Sequence, residues 1–419
     1  MARYDEFDIF DFVLGISEAL DLVSPDVNHH HKRVAYIAYS LAREMSLEDE
    51  EVFDLVMAAT VHDIGAFSQR ERLIIHGRAP AEDFNFNDHA TVGYLLMRTF
   101  PPFKALADMV RYHHHFYRGL DGPVPRGAYI INLADKIAIA IDDEREILEQ
   151  VRSIVDAVKN GPYWPEAVEA FLLLAEREHF WLDARSSDVD RLLAPRIQPM
   201  RRVMGFDMLL SFAKMMAQMI DFRSRFTATH SSGVAAVALD LTGLFEFSPR
   251  ECRLMEISGY LHDLGKLAVP NEILDKPGKL GYEDVNVMRK HTYHTYQVLS
   301  RIRGLEDVTR WAAYHHERLD GRGYPFHIGA EDFTKLARIM AVADIFTAIT
   351  EDRPYRVGME RDSAMKVLNS MAAQNGIDGE VVKMVAANYD RINQKRALAQ
   401  GAALDEYNKF TAQSAANSS

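Results

Sequence analysis

The sequence has a single cysteine, Cys252, and no apolar run of the roughly 18 residues that a membrane-spanning helix requires. One cysteine excludes an internal disulfide framework and is typical of a reducing compartment. The first residues, from Met1 onward, are acidic and contain no apolar signal core. We therefore expect a cytoplasmic protein that does not insert into a membrane.

Positive charge is also in short supply. Lysine and arginine number 48 against 61 aspartates and glutamates, which gives a formal net charge of −13. Such a field repels phosphate backbones, so binding to duplex DNA or RNA and to anionic membranes is disfavoured. A phosphodiester ligand would need local cations to overcome this repulsion, and metal ions are the strongest candidates.

Helical periodicity dominates the chain, and the alternating patterns typical of strands are scarce. Residues 34–45 (VAYIAYSLAREM) and 206–220 (FDMLLSFAKMMAQMI) carry apolar side chains at three- and four-residue spacing. With 419 residues and no low-complexity linker, the sequence predicts an all-α protein of two or three domains.

An internal repeat with a spacing close to 200 residues divides the chain. Each half holds histidines and aspartates in one order: His, His-Asp, His, His-His, Asp. The first set is His30, His62, Asp63, His89, His113, His114 and Asp135, and the second is His230, His262, Asp263, His291, His315, His316 and Asp344. The repeat predicts two tandem helical domains at residues 5–150 and 205–395, a helical connector at 151–204 and a disordered tail at 396–419.

The residue types of this set are those of a metal centre. Imidazole nitrogens and carboxylate oxygens suit iron, manganese or zinc. A lone His-Asp pair is a weak signal, but an aspartate beside a histidine can bridge two ions. Two ions about 3.5–4 Å apart can activate a water and clamp a phosphodiester during in-line displacement. They would also supply the positive charge that the chain lacks.

The surroundings of the second set carry further signals. In LHDLGK (261–266), Lys266 follows the end of an apolar helix, where it could contact a phosphate, donate a proton or simply interact with the helix dipole. HHERLDGRGYP (315–325) predicts two histidines at a helix end and a glycine-rich loop after them. In that loop Tyr324 could stack on a base or contact a phosphate, or it could anchor the loop in the core.

Four segments in this order, HDLGK, KPGKL (276–280), HHERLDGRGYP and RPYR (353–356), resemble the HD-GYP family of cyclic dinucleotide phosphodiesterases over residues 220–385. The first half resembles the broader HD superfamily over residues 20–140. The resemblance implies a hydrolase that linearises a bacterial cyclic dinucleotide with a hydroxide bridging two divalent ions, iron or manganese being favoured. Cyclic di-GMP is the favoured substrate and 3′,3′-cyclic GMP-AMP the alternative; a homodimer or a signalling partner protein would be compatible with this function.

The resemblance also implies a role for each residue of the second set. One ion would be held by His230, His262, Asp263 and Asp344. The other would share Asp263 and take His291, His315 and His316. Lys266 would lie beside the hydroxide and help to protonate the leaving oxygen, so that Asp263 and Lys266 are the catalytic residues. The substrate groove would be lined by Lys266, Arg322, Tyr324, Arg353 and Arg356, because a planar guanidinium binds phosphate oxygens in pairs; the alternative for the arginines is a solvated surface.

Two positions depart from the family pattern. Thr347 stands where members often carry a second aspartate, and Phe226 stands where three-metal members carry a glutamate. Both changes remove a carboxylate that a third ion would use, so we expect a dinuclear site. The missing aspartate also leaves room for weakened catalysis.

The first half keeps its seven candidate ligands but departs from the motif around them. Ala66 replaces the lysine, His115 replaces the glutamate, DGPVP (121–125) stands near the missing GYP, and no RPYR follows Asp135. We expect a regulatory or scaffolding domain, with a second metal site as an open alternative. The remaining histidines are assigned to the surface or to positions behind the ligands: His29, His31, His76, His294 and His327.

Two other functions stay open at this point. An HD phosphohydrolase acting on another nucleotide would not need the GYP and RPYR segments, which seat a long ligand. A catalytically weak cyclic dinucleotide receptor or scaffold would be compatible with Thr347 and with the altered first half.

Overall fold

The computed structural model describes residues 6–23, 29–81, 84–119, 122–223, 229–276, 278–352 and 356–417. Phe226 and Arg353 lie outside these ranges. Over the described residues the regular secondary structure is almost entirely helical, which confirms the all-α prediction. The only strands in these ranges, Phe7–Asp8 (β1) and Val203–Met204 (β2), pair into a two-stranded sheet. None of the described helices is long and apolar enough to cross a membrane.

One compact unit comprises residues 8–203. Its central helix packs against two others, and its fully buried Val34, Ile37 and Leu41 form the face that the sequence predicted. In chain order the α-helices of this unit are α1 (Ile9–Asp21), α2 (His30–Glu44), α3 (Asp49–Thr60), α4 (Gln69–Ile75), α5 (Phe86–Met97), α6 (Ala107–Arg111), α7 (Arg126–Ala140), α8 (Ile147–Lys159), α9 (Pro165–Ala175), α10 (Glu178–Arg185) and α11 (Val189–Ile197). The central helix is α2, and its partners are α3 and α7.

The second compact unit comprises residues 204–413 and repeats this plan. Its α-helices are α12 (Phe206–Asp221), α13 (His230–Leu244), α14 (Pro249–Leu261), α15 (Asn271–Leu274), α16 (Tyr282–Leu299), α17 (Glu306–Ala313), α18 (Lys335–Thr350), α19 (Arg361–Ala373), α20 (Gly379–Ala387) and α21 (Tyr389–Asn417). Here α13 is central and packs against α14 and α18, as α2 packs against α3 and α7.

Local signals fix where the helix that carries the second His-Asp motif begins. Ser248 accepts a hydrogen bond from the backbone N–H of Glu251, and the Glu251 carboxylate accepts one from the backbone N–H of Ser248. Pro249 occupies the first helical position, where its missing N–H costs nothing. This capping box sets the register of α14, so that His262 and Asp263 emerge at its far end.

Two segments differ from their predicted structure: the expected connector at residues 151–204 and the expected disordered tail at 396–419. Helices α8 to α11 belong to the first compact unit, because buried aromatic residues such as Phe171, Phe180 and Trp181 pack them together. Residues 396–417, expected to be a disordered tail, are helical and continue α21. The correction has two physical reasons: alanine is the strongest helix former, and Tyr407 and Phe410 pack their rings against Phe222.

Candidate metal centres

A glycine brings the His-Asp turn of the second half against helix α16. A Cβ on Gly265 would lie 1.9 Å from the carbonyl oxygen of His291, so no side chain fits there. The backbone N–H of Gly265 donates to Oγ1 of Thr295 at 2.9 Å, and that hydroxyl donates to the carbonyl of His262 at 3.0 Å. This close approach carries His291 on α16 to within reach of Asp263.

Asp263 lies at the centre of the second cluster, and its two oxygens face different histidines. Oδ2 is 3.2 Å from Nε2 of His262 and 4.0 Å from Nε2 of His230. Oδ1 is 3.4 Å from Nε2 of His291 and 3.9 Å from Nε2 of His315. A carboxylate with one oxygen towards each ligand set has the arrangement of a bridging ligand.

Asp344, on α18, closes the cluster from the opposite side. Its Oδ1 is 3.2 Å from Nε2 of His230 and 3.9 Å from Nε2 of His262, and its Oδ2 is 3.9 Å from Nδ1 of His316. Candidate ligand atoms within 4.8 Å of one another form two sets: His230, His262 and Asp344 in one, and His291, His315 and His316 in the other. The structure thus brings together all seven residues of the second set. The side chain of His316 is 30% exposed, which opens the cluster to solvent on this side.

The tautomers of three histidines follow from their backbone partners. Each places Nδ1 close to a carbonyl oxygen three residues earlier in the chain: His262 to Gly259 at 2.7 Å, His291 to Met288 at 2.6 Å and His315 to Ala312 at 2.6 Å. A carbonyl only accepts, so Nδ1 carries the proton and Nε2 presents a lone pair to the aspartate. The buried Nε2 of His262 makes no hydrogen bond. The lone pairs of these three histidines converge with carboxylate oxygens, and such a set of donor atoms fits a divalent cation.

His230 is oriented by a carboxylate that sequence reasoning missed. Oε2 of Glu351, a residue only 3% exposed, lies 3.0 Å from Nδ1 of His230 and also accepts from the side-chain amide of Gln400 at 2.9 Å. Burial alone would lower the pKa of His230, but Glu351 and Asp344 raise it to about 10. The available signal was the spacing: Glu351 follows Asp344 by seven residues, two turns along one helix face.

Lys266 follows the His-Asp pair in a short 3-10 helix, Leu264–Ala268. Its Nζ donates to Oδ2 of Asp263 at 2.5 Å. Arg223 secures this segment by donating to the carbonyls of Lys266 and Leu267 at 3.1 and 2.9 Å. Although burial acts to raise it, the pKa of Asp263 lies well below its usual range because of His262 and Lys266.

The glycine-rich loop is folded by the glutamate of HHERLDGRGYP. Oε1 of Glu317 accepts from the backbone N–H of Phe326 at 2.7 Å. A Cβ on Gly323 would lie 2.4 Å from the Cα of Glu317, so the loop can fold over the histidines only with a glycine at this position. The motif thus shapes the rim of the cluster.

Tyr324 lies on this rim beside a candidate ligand. Its ring centroid is 4.9 Å from that of His316, and the guanidinium carbon of Arg289 is 5.1 Å from the Tyr324 ring. Arg289 is exposed and stands two residues before His291 on α16, and sequence reasoning did not single it out. Arg322 is exposed on the loop, and Arg356 is exposed with its guanidinium donating to the carbonyl of Ala348.

The first half builds a similar cluster around Asp63. Oδ1 of Asp63 is 3.2 Å from Nε2 of His89 and 3.5 Å from Nε2 of His113, and Oδ2 is 3.3 Å from Nε2 of His62. The sets of ligand atoms within 4.8 Å include Asp63, His89, His113 and His114 as one and His30, His62 and Asp135 as another. Both oxygens of Asp63 and Nε2 of His62 are buried without a hydrogen bond. The donor set therefore fits metal ions as well.

The rim of the first cluster differs from that of the second. His115 is exposed where Glu317 is buried, so this position offers no carboxylate to the loop that follows it. A cavity of about 550 Å³ lies beside His114, with Arg118 and Tyr129 in its lining. Nζ of Lys136 donates to Oδ2 of Asp135 at 3.0 Å. In the first half the lysine therefore contacts Asp135, whereas in the second half Lys266 contacts the central aspartate, Asp263. His31 and His76 are both buried rather than on the surface.

Known proteins resemble the chain over both halves. The family described as "HD domain" matches residues 27–140 and, through a second profile with the same description, residues 214–381. The 3′3′-cGAMP-specific phosphodiesterase 1 of Vibrio cholerae is 29% identical, with 90% of this chain and 91% of that protein covered. The cyclic di-GMP phosphodiesterase PA4108 of Pseudomonas aeruginosa is 39% identical over 36% of each chain.

A solved structure shares the fold. The crystal structure of a cyclic GMP-AMP-specific phosphodiesterase of Vibrio cholerae superposes with a TM-score of 0.62 at 22% identity, over 96% of this chain and 98% of that one. This likeness extends the shared architecture across both helical units.

Proposed function

We propose that the second half hydrolyses a cyclic dinucleotide. The proposal starts from the family: the chain belongs to the HD-GYP family and carries a divergent HD domain before its HD-GYP half. The observation that carries the proposal is the position of Asp263. Its two oxygens face two histidine sets, and a lysine stands beside it at 2.5 Å. Two divalent ions held by these residues would supply the positive charge and the activated water that in-line displacement at a phosphodiester requires.

Two divalent ions are proposed as the cofactors, iron or manganese by ligand type. Asp263 would contribute one oxygen to each. The first ion would take His230, His262 and Asp344, and the second would take His291, His315 and His316. Bound there, the ions would lower the pKa of a shared water and neutralise charge on the phosphate. Glu351 would keep His230 in the ligating tautomer by accepting a hydrogen bond from its Nδ1–H.

Lys266 is proposed as the proton donor. Hydrolysis forms a bond from phosphorus to the oxygen of water and breaks the bond from phosphorus to a ribose oxygen, which must gain a proton. The Nζ of Lys266 is anchored on Oδ2 of Asp263, the same oxygen that faces His262, and it is therefore held next to the centre of the reaction. A positioned cation there also stabilises charge that develops on the leaving oxygen.

The substrate groove is proposed on the exposed side of His316. Tyr324 offers an aromatic ring beside this histidine, and the guanidinium of Arg289 lies over the Tyr324 ring. Arg322, Arg353 and Arg356 are proposed to contact the second phosphate or the bases. A base stacked on an aromatic ring contributes about 1–3 kcal/mol, so Tyr324 would add affinity without strong base selectivity.

The relatives guide the choice of substrate. Two proteins that match this chain over most of their length, the 3′3′-cGAMP-specific phosphodiesterases 1 and 3 of Vibrio cholerae, are 29% and 24% identical to it. We propose 3′,3′-cyclic GMP-AMP as the first substrate to test. Cyclic di-GMP is the second, because the cyclic di-GMP phosphodiesterases PA4108 and RpfG (Xanthomonas campestris) match at 39% and 38% identity over 36% of this chain.

The test is a turnover assay on the full chain, purified without oxygen and loaded with Mn²⁺ or Fe²⁺. Both cyclic dinucleotides are offered, and linear products are resolved by chromatography. Linear dinucleotide formed by the parent and not by Asp263→Asn supports the proposal. Tight binding without turnover of either ligand would instead make the protein a receptor, and turnover of mononucleotides alone would make it a phosphohydrolase of another class.

A further inference from the structure

His76 stands at the end of α4 and is buried beside the first cluster. His76 is only 7% exposed, and its Nε2 lies 3.9 Å from Oδ2 of Asp63. The ring centroids of His76 and His30 are 4.1 Å apart. One ligand atom each from His30, Asp63 and His76 lie within 4.8 Å of one another.

The tautomer of His76 leaves a lone pair aimed into the cluster. Nδ1 donates to the carbonyl of Arg72 at 2.6 Å, and the buried Nε2 makes no hydrogen bond. An acceptor nitrogen that faces a carboxylate oxygen in a buried place is unfavourable unless a cation lies between them. His62 presents its own Nε2 to the same oxygen of Asp63 at 3.3 Å, after donating Nδ1 to the carbonyl of Ala59. The two imidazoles therefore converge on one point.

His76 fills the place that a lysine occupies in the second half. There, Nζ of Lys266 contacts Oδ2 of Asp263, the oxygen that faces His262. In the first half the lysine is replaced by Ala66, and Oδ2 of Asp63 faces His76 instead. Where the second half has the ammonium of Lys266, the first half thus has the imidazole of His76, a group that can ligate a metal.

A buried arginine delivers His76 to this position. The guanidinium of Arg72, fully buried, donates to the carbonyl of Ala66 at 3.1 Å and to that of Asp63 at 3.3 Å. Its own carbonyl holds Nδ1 of His76. The same residue therefore ties α4 to the His-Asp turn and orients the added imidazole.

We propose that His76 is a metal ligand and that the first half holds a closed, structural metal ion. With His30, His62, Asp63 and Asp135, it would give this ion five protein ligands, one more than the corresponding ion of the second half. Structural metal sites are closed by protein ligands, whereas catalytic sites keep a position open for water or substrate. The proposal is independent of the chemistry proposed for the second half.

The test measures Mn²⁺ binding to the full chain in a background in which His262→Ala and Asp263→Asn disable the second centre. His76→Ala is compared with His179→Ala, a control at an exposed histidine of α10. We expect His76→Ala to weaken Mn²⁺ binding at least about tenfold, since loss of a group behind a ligand already costs that much. The rise in melting temperature on adding Mn²⁺ should shrink in the same variant and be unchanged in the control.

A second variant guards against simple misfolding. His76→Gln keeps a polar side chain of similar volume but removes the imidazole, and its melting temperature in EDTA is compared with that of the background protein. Weak Mn²⁺ binding with an unchanged metal-free melting temperature supports the proposal. Mn²⁺ affinity equal to that of the background in both His76 variants, or no Mn²⁺ bound to the background itself, overturns it.

Discussion

Nδ1 of His230 lies 3.0 Å from Oε2 of Glu351, and both residues are almost fully buried. The pair extends the metal cluster outward by one carboxylate. Replacing Glu351 by Gln removes its charge while keeping its size, so the hydrogen bond that orients Nδ1–H of His230 should weaken and His230 should be held less firmly towards the ion. We expect metal affinity of the second half to drop about 10- to 100-fold, measured by metal titration in the Asp63→Asn background.

A matched control for that experiment is Glu380→Gln, a change at an exposed glutamate paired with Lys335. It should leave metal affinity unchanged. If Glu351→Gln binds metal as tightly as this control, Glu351 serves only the packing of α18 and α21.

The second half should hold two ions. Six candidate ligands surround the central carboxylate of Asp263, and Thr347 provides no charge for a third ion. In a full chain carrying His62→Ala and Asp63→Asn, which disable the first cluster, metal analysis after anaerobic loading should give two ions per chain. One tightly bound ion, or three, would contradict the dinuclear assignment.

The two central aspartates should differ in their effect on turnover. Asp263→Asn should abolish hydrolysis, because an amide is a poor bridge between two cations. Asp63→Asn should leave hydrolysis measurable, because the first half has Ala66 in place of Lys266 and His115 in place of Glu317. Both variants are assayed on one cyclic dinucleotide with their metal content checked. Loss of all turnover in Asp63→Asn with a fully metallated second centre would place the first half in the chemistry.

Arg353→Ala and Arg356→Ala should weaken substrate binding while metal content stays intact. A charge-assisted contact to phosphate is worth about 1.5–3 kcal/mol, or about ten- to a hundredfold in affinity. Metal content and the KM for the cyclic dinucleotide are both measured in the otherwise unchanged chain, because a substitution at Asp263 would itself disturb the metal centre. Parent-like affinity in both variants would mean that these arginines belong to the solvated surface.

Stability of the metal-free protein should fall as pH rises towards neutrality, through Asp221. Burial raises the pKa of this carboxyl from 3.8 to about 7, although Ser231 donates to it at 3.1 Å. A folded pKa above the unfolded one means that the folded state holds the proton more tightly. The resulting gain in the free energy of unfolding is complete below about pH 4 and is lost as the pH rises from about 4 to about 7. Asp221→Asn should flatten this part of the curve, measured by chemical unfolding in EDTA from pH 4 to 8. An unchanged slope would show that Asp221 is not the group involved.

The seven-residue sets could be predicted from the sequence because the same order of histidines and aspartates recurs about 200 residues later in the chain. Helical periodicity likewise predicted the fold class. The tail was misjudged, because an Ala- and Ser-rich composition is typical of disordered ends and of helices alike. What decides between them is the packing of Tyr407 and Phe410 on Phe222, which no local pattern reveals.

His76 escaped prediction because the repeat itself concealed it. Two hundred residues on stands Lys276, which is exposed and paired with Asp284, so comparing the halves gave His76 no counterpart among the ligands. Arg289 was overlooked for a related reason: an exposed arginine on a helix is ordinary until the loop carrying Tyr324 folds back over it. Both proposed roles depend on contacts between segments that are distant in sequence.

The bare glycines after each His-Asp pair have a consequence for metal choice. A Cβ would lie 2.1 Å from the carbonyl oxygen of His89 at Gly65 and 1.9 Å from that of His291 at Gly265. Backbone therefore rests directly on backbone, and this contact sets the gap between the paired residues and the third histidine before any ion arrives. The spacing of these ligands is therefore fixed by the backbone. Metal ions would be selected by how well their radius suits that spacing, with little adjustment by the protein.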